Sequence, residues 1–224
     1  FANQAALLWT IESVVGYVND LRRETPSVLP DELSLLIGDT RDKEAKLNTL
    51  AESFGTADST SLLLVRAAYV WRNRVTHIGA HNKLAPGLAD ALIARSTEIE
   101  ESYQGLSVTE MLARIEASNS PRLKEATAIS RAAGYLVRDI DSKAVECVDL
   151  PAYVRRLLGS YLKESVSAEQ RMKRAVGLWG GTAVGNNRSL TTFLLQRGLS
   201  ASKDIGMESD LSSLSPKEAV KSLL

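Results

Sequence analysis

The chain has 224 residues, 44% of them apolar and 24% charged, with a formal net charge of zero. That composition supports a packed core and argues against global disorder, and the single cysteine excludes an intrachain disulfide framework or a cysteine-based zinc site. No apolar run approaches the ~18 residues of a membrane span and no signal peptide is visible, so no membrane association and a cytoplasmic location are expected.

Leu7, Ile11, Val14, Val18 and Leu21 alternate spacings of four and three, which predicts an amphipathic first helix ended by Pro26 and Pro30. A polar link follows. Asp42 or Thr40 can cap a second helix that carries Leu47, Leu50 and Phe54 and closes at Gly55. Asp58, Ser59 and Thr60 offer capping oxygens for a third, running from Leu62 through His77, with Gly79 as its stop. Its first half is apolar on every side, so it reads as buried all round. Pro86 suits the first position of a fourth helix, whose inward side is Leu88, Leu92, Ile99 and Tyr103.

After Gly105 come a short helix around Met111 to Ile115 and a longer one opened by Ser120-Pro121, with Ile129, Ala133, Leu136 and Ile140 on one face. Ala132-Ala133-Gly134 has the composition of a helix-turn-helix turn, but the apolar period passes through Gly134 unbroken, which favours one continuous helix. Cys147, between Val145 and Val148, reads as a small buried hydrophobe. Leu150-Pro151 starts a helix with Val154, Leu157, Leu158, Tyr161 and Leu162. Ser167 and Ser215 open capping boxes, Gly180-Gly181 stops the first of those two helices, Gly185-Asn186-Asn187 marks a turn, and Ser189 to Arg197 is a short helix stopped by Gly198. The expectation is an all-α chain: an up-and-down four-helix bundle over residues 1–105 and a helical extension over 106–224. That extension has no assigned role, and its packing on the bundle is left open. Both termini fall inside helical patterns, so a longer parent protein is also expected.

Charge is uneven along this frame. Residues 1–150 carry 16 Lys/Arg against 21 Asp/Glu, while residues 151–224 carry 11 against 6, which makes the C-terminal third the anion-facing part. Arg171, Lys173 and Arg174, with Arg155 and Arg156, are candidates for contact with an RNA backbone or an acidic partner. A solvated face explains them equally well. Glu98, Glu100 and Glu101 read as a solvated helix face rather than a metal cluster, and neither a metal nor a cofactor is expected.

The third helix ends in Arg72-Asn73-Arg74-Val75-Thr76-His77, and both histidines of the chain, His77 and His81, lie in or beside this segment. Tyr69, Asn73 and His77, four residues apart in turn, form one helical stripe. RNA can be cut by its own 2′-hydroxyl attacking the neighbouring phosphorus, given a base, an acid and positive charge on the phosphorane. Histidine titrates near neutrality and can act as base or acid. The guanidinium of Arg72 matches phosphate oxygens, and Asn73 can hold the imidazole or touch the phosphate. Five helical residues put about 140° between Arg72 and His77, so a two-fold pair of helix ends would be needed to assemble both around one cleft. Trp71, Val75 and Ile78 are candidates to pack that pair.

Arg72, Asn73 and His77 resemble the Arg-x(4–6)-His motif of HEPN domains (higher eukaryotes and prokaryotes nucleotide-binding), in which a polar residue, often Asn, follows the Arg. With 17 Arg, 8 Asn and 2 His in the chain, this combination at this one spacing has a chance expectation of about 0.005, so it is a useful signal. The resemblance covers roughly residues 1–105. It implies a small all-α bundle, a homodimer and a metal-independent endoribonuclease with Arg72, Asn73 and His77 as catalytic residues. It also implies a toxin–antitoxin or anti-phage setting, with an antitoxin, a sensor partner or further domains as restraint. Arg74 and His81 are added as tentative RNA contacts. Two alternatives remain: a non-catalytic HEPN-like module that binds RNA or a partner and dimerises, and a purely structural helical domain. In the bland version Arg72 and Arg74 form surface ion pairs and His77 caps a helix.

Overall fold

Spacings of four and three wind Ala2–Arg23 into α1, which buries Leu7, Ile11, Val14, Val15 and Val18 on one side. The computed structural model describes residues 1–23, 28–77, 82–165, 167–180, 188–197, 199, 211 and 213–224, with Arg188 described by its backbone alone. The remaining elements are α2 (Asp31–Asp39), α3 (Lys43–Ser53), α4 (Thr60–Thr76), α5 (Leu88–Ala94), α6 (Ser96–Ser102), α7 (Val108–Glu116), α8 (Leu123–Cys147), α9 (Leu150–Lys163), α10 (Ala168–Trp179), α11 (Arg188–Leu195) and α12 (Pro216–Leu223). Among the described residues there is no strand, so the chain is all-α. None of the described helices is long and apolar enough to cross a membrane.

The chain divides into two compact units, Phe1–Cys147 and Val148–Leu224. The division expected at residue 105 therefore falls inside the first unit. The reason is α8, which packs on both α1 and α4 and buries Ile129, Ala133, Leu136 and Ile140 in the same core as theirs. Tyr17 donates a 2.6 Å hydrogen bond to Asp141, and the Thr10 and Ser130 hydroxyls meet at 2.8 Å, so α1 and α8 are also tied by polar contacts. The long core helices are α1, α4 and α8, and α8 runs unbroken through Gly134.

The expected fourth helix is in fact two. The chain breaks at Arg95, between α5 and α6, while Leu88, Leu92, Ile99 and Tyr103 all remain buried. Pro86 does not start it: α5 opens at Leu88, after Gly87 at φ 78°. The polar link is also corrected. Residues Asp31–Asp39 form α2, which packs on α1 and α3 through Leu33 and Ile37. Cys147 is exposed, not buried, because the last turn of α8 beyond Ala144 leaves the core, with Val145 exposed beside it. Elsewhere the caps fall where expected: Asp42 accepts from Ala45, Ser59 from Leu62 and Ser167 from Gln170. Ser215 and Glu218 close a reciprocal capping box.

In the second unit, α9 to α12 enclose Val154, Leu158, Leu162, Ala175, Leu178, Trp179 and Ala219. A Cβ on Gly159 would lie 2.6 Å from the Leu223 carbonyl oxygen, so α12 approaches α9 at a point where only glycine fits. The turn expected at Gly185-Asn186-Asn187 and the stop at Gly198 lie outside the described residues.

Candidate functional site

Helix α4 is buried from Thr60 to Trp71 except at Arg66, which pairs with Glu44 at 2.9 Å. Its polar end is held by both neighbouring regions of the first unit. Trp71, fully buried, donates its indole N–H to the Asn119 carbonyl at 2.7 Å. Gln4 of α1 donates to the Val75 carbonyl at 2.9 Å, and the Thr76 hydroxyl donates to the Arg72 carbonyl at 2.6 Å. The Val75 carbonyl, one that the helix end leaves without an intrahelical partner, is thereby satisfied. The helix stops at Thr76, earlier than the expected Gly79, and His77 is its C-cap, with its N–H on the Asn73 carbonyl.

Arg72 donates Nη1 to Asn73 Oδ1 at 2.8 Å and Nη2 to Glu12 Oε1, and Lys43 stands 3.5 Å from the other Glu12 oxygen. Glu12 thus sits between two cations. The Nε–H of Arg72 and the hydroxyl of Tyr69, one turn earlier, are both buried and have no hydrogen-bond partner among the described residues. Burial holds the Tyr69 phenol well above its ordinary pKa, with Glu12 adding to the shift and Arg72 opposing it. These groups surround a cavity of about 240 Å³, whose walls also include Asp42, Lys43, Glu44, Asn82 and Lys83.

Arg72, Asn73 and Tyr69 are therefore brought together, but His77 is not added to them. Its side chain is exposed, and among the described residues no hydrogen bond or ion pair links it to Arg72. Two parts of the bland alternative are present in the geometry: an Arg72 ion pair and a helix cap at His77. Arg74 is drawn into the fold. Its Nε donates to Asn82 O at 2.7 Å and its Nη1 to Ile115 O and Glu116 O at 2.7 and 2.9 Å, bracing the end of α7. Trp71 cannot face a second subunit, because it is wholly enclosed by its own unit. His81 and Ile78 lie outside the described residues.

In the second unit Arg171 donates to Ser165 O at 3.0 Å, and Arg174 donates to Tyr161 O and to Glu164 at 3.0 Å while lying 4.7 Å from the Tyr161 ring centroid. Both make these contacts at the C-terminal end of α9. Lys173 is exposed. Among the described residues no three His, Cys, Asp or Glu side chains gather as metal ligands would.

Sequence reasoning missed Glu12, Gln4, Lys43 and Lys83. Glu12 carries no signal in the sequence, since its partner lies 60 residues away in the chain. Tyr69 was visible as the first member of the stripe with Asn73. Compared with family models, curated proteins and solved structures, the chain matches none.

Proposed function

We propose that this chain is a HEPN-like endoribonuclease that cuts single-stranded RNA without a metal, in a toxin or anti-phage defence setting. The observation that supports it is a guanidinium with a spare buried N–H, beside a cavity, one turn and a half before an exposed histidine. In this reading Arg72 carries the charge of the phosphorane and Asn73 sets the Arg72 fork through its side-chain carbonyl. One histidine takes the proton from the 2′-hydroxyl as the 2′-oxygen bonds to phosphorus. The bond from phosphorus to the 5′-oxygen breaks, and that oxygen receives a proton from an acid. The products are a 2′,3′-cyclic phosphate and a 5′-hydroxyl. Because Arg72 and His77 diverge by about 140° on a helix, the working unit is a two-fold dimer that combines the Arg72 of one subunit with the His77 of the other.

The test is cleavage of labelled RNA in excess EDTA by the purified chain. His77→Ala and Arg72→Ala should each abolish cutting with helicity unchanged, and mixing the two variants should restore part of it. Cleavage that disappears on chelation and returns with a divalent ion would overturn the mechanism. A second reading, a non-catalytic RNA- or partner-binding and dimerisation module, is favoured by one observation: Glu12 already compensates the charge of Arg72. Under that reading the wild-type chain binds RNA and never cuts it.

A further inference from the structure

A buried donor without an acceptor is costly, and folded proteins rarely keep one. Among the described residues, two such donors, the hydroxyl of Tyr69 and the Nε–H of Arg72, belong to side chains that line the cavity beside α4. They are three residues apart on one helix, so they share a face. Every carboxylate nearby is already engaged. Asp42 accepts the Ala45 N–H as the cap of α3, at 2.8 Å. Glu44 holds Arg66, and Glu12 holds Arg72 and Lys43. None of these carboxylates forms a hydrogen bond with either donor.

What would satisfy them is an oxygen-rich acceptor from outside. The charges around the cavity favour an anion: Lys43, Arg66, Arg72 and Lys83 outnumber Glu12, Asp42 and Glu44 by one. Its 240 Å³ is below the roughly 300 Å³ at which whole small-molecule ligands are enclosed, so it suits a phosphate and part of its sugar rather than a nucleotide. The phenol is held neutral by burial and keeps the proton it would donate.

We propose that Tyr69 is a phosphate-binding residue of the RNA site, its hydroxyl and the Nε–H of Arg72 each donating to a non-bridging oxygen of one phosphodiester. The proposal rests on the reading of this site as an RNA site and adds a residue to it. It does not depend on cleavage.

The experiment measures binding of a fully 2′-O-methylated single-stranded RNA, which cannot be cut, by fluorescence anisotropy, with inorganic phosphate as competitor. Tyr69→Phe should weaken binding about 10-fold, the scale of one hydrogen bond to a charged acceptor. Arg72→Lys, which keeps the charge and loses the Nε–H, should do the same. Phosphate should compete less well against Tyr69→Phe. Tm separates this from a structural role, since removing a hydroxyl that has no internal partner should leave Tm unchanged or raise it. A lower Tm with unchanged RNA affinity means that a buried water satisfies the hydroxyl, and overturns the proposal. Wild-type protein that binds the RNA analogue but leaves ordinary RNA uncut sinks the nuclease reading alone. Cutting by wild type with Tyr69→Phe binding equally well sinks the Tyr69 site alone. A wild-type chain that binds neither RNA nor phosphate sinks both.

Discussion

Arg72 and Arg74 in the first unit, and Arg171 and Arg174 in the second, look alike in the sequence: paired cations near the polar side of a helix. Folded, they divide three to one. Arg74, Arg171 and Arg174 all donate to main-chain carbonyls at or just beyond the end of a neighbouring helix. Arg72 alone of the four binds no main-chain carbonyl among the described contacts. It holds a side-chain amide and a carboxylate, and keeps a buried N–H in reserve. Helix ends leave carbonyls that must find donors, and in a chain built almost wholly of helices the arginines are the long-reaching donors at hand. A basic cluster in such a sequence is therefore first a bracing device. What sets Arg72 apart from the other three is a buried Nε–H without a partner among the described residues.

The two units also share a device. Each buries a tryptophan whose indole N–H reaches a carbonyl outside regular helix, Trp71 to Asn119 and Trp179 to Leu211, both at 2.7 Å. The largest expected effect comes from breaking the first of these. Trp71→Ala removes a wholly buried ring and its hydrogen bond, and should cost about 3–5 kcal/mol. Hydrogen exchange at amides of α4 and α8 would read it. Trp179→Ala is the matched change in the second unit. If Trp71→Ala leaves the amides of α4 as protected as before, the tryptophan does not anchor the site helix.

Arg74 should be worth less. Its three carbonyl bonds involve a charged donor, but two of them are exposed, so Arg74→Ala should lose about 2 kcal/mol in total. Arg174→Ala loses one carbonyl, one exposed carboxylate and a ring contact, and should lose about 1 kcal/mol. Denaturant midpoints at constant slope give both values. If Arg74→Ala is neutral in stability yet weakens RNA binding, Arg74 belongs with Arg72 and the three-to-one division fails.

The frame of this comparison was largely legible. The periods of α1 and α8 predicted most of their buried faces, the all-round apolar first half of α4 predicted its burial, and the caps at Asp42, Ser59, Ser167 and Ser215 were readable because capping is local chemistry. α2 was missed because it has only nine residues, and of its apolar side chains Leu33 and Ile37 point inward while Leu35 and Leu36 are exposed, which blurs the period. Cys147 was misjudged because periodicity tells which face is apolar but not where a helix outruns its core. At the site, Arg72, Asn73 and Tyr69 could be placed on the helix from spacing alone. Their environment could not, since Glu12, Gln4 and the 115–119 segment reach α4 only through the tertiary fold. The same gap placed the boundary at 105, because a helix pattern does not say which core it joins.

The smallest effect concerns pH, and it belongs to the first unit, where Tyr69 and Tyr17 both have pKa values raised above the ordinary 10.0. Burial is the leading cause for each. For Tyr17 the hydrogen bond to Asp141 adds to it, since a phenol that donates to a carboxylate resists losing its proton. Below pH 10 both the folded and the unfolded chain hold these protons, and the stabilisation is complete. Above pH 10 the unfolded chain releases them first, so it binds fewer protons than the folded chain, and unfolding becomes easier as pH rises. The Tm should therefore be flat on this account up to about pH 10 and decline over the next pH unit. Tyr17→Phe and Tyr69→Phe should each make that decline shallower. The two substitutions differ below pH 10. Tyr17→Phe gives up a hydrogen bond and lowers Tm there, whereas Tyr69→Phe gives up a hydroxyl with no internal partner and does not. A decline that is equally steep in both variants would place its origin in other groups and remove the alkaline behaviour from the account of α1 and α4.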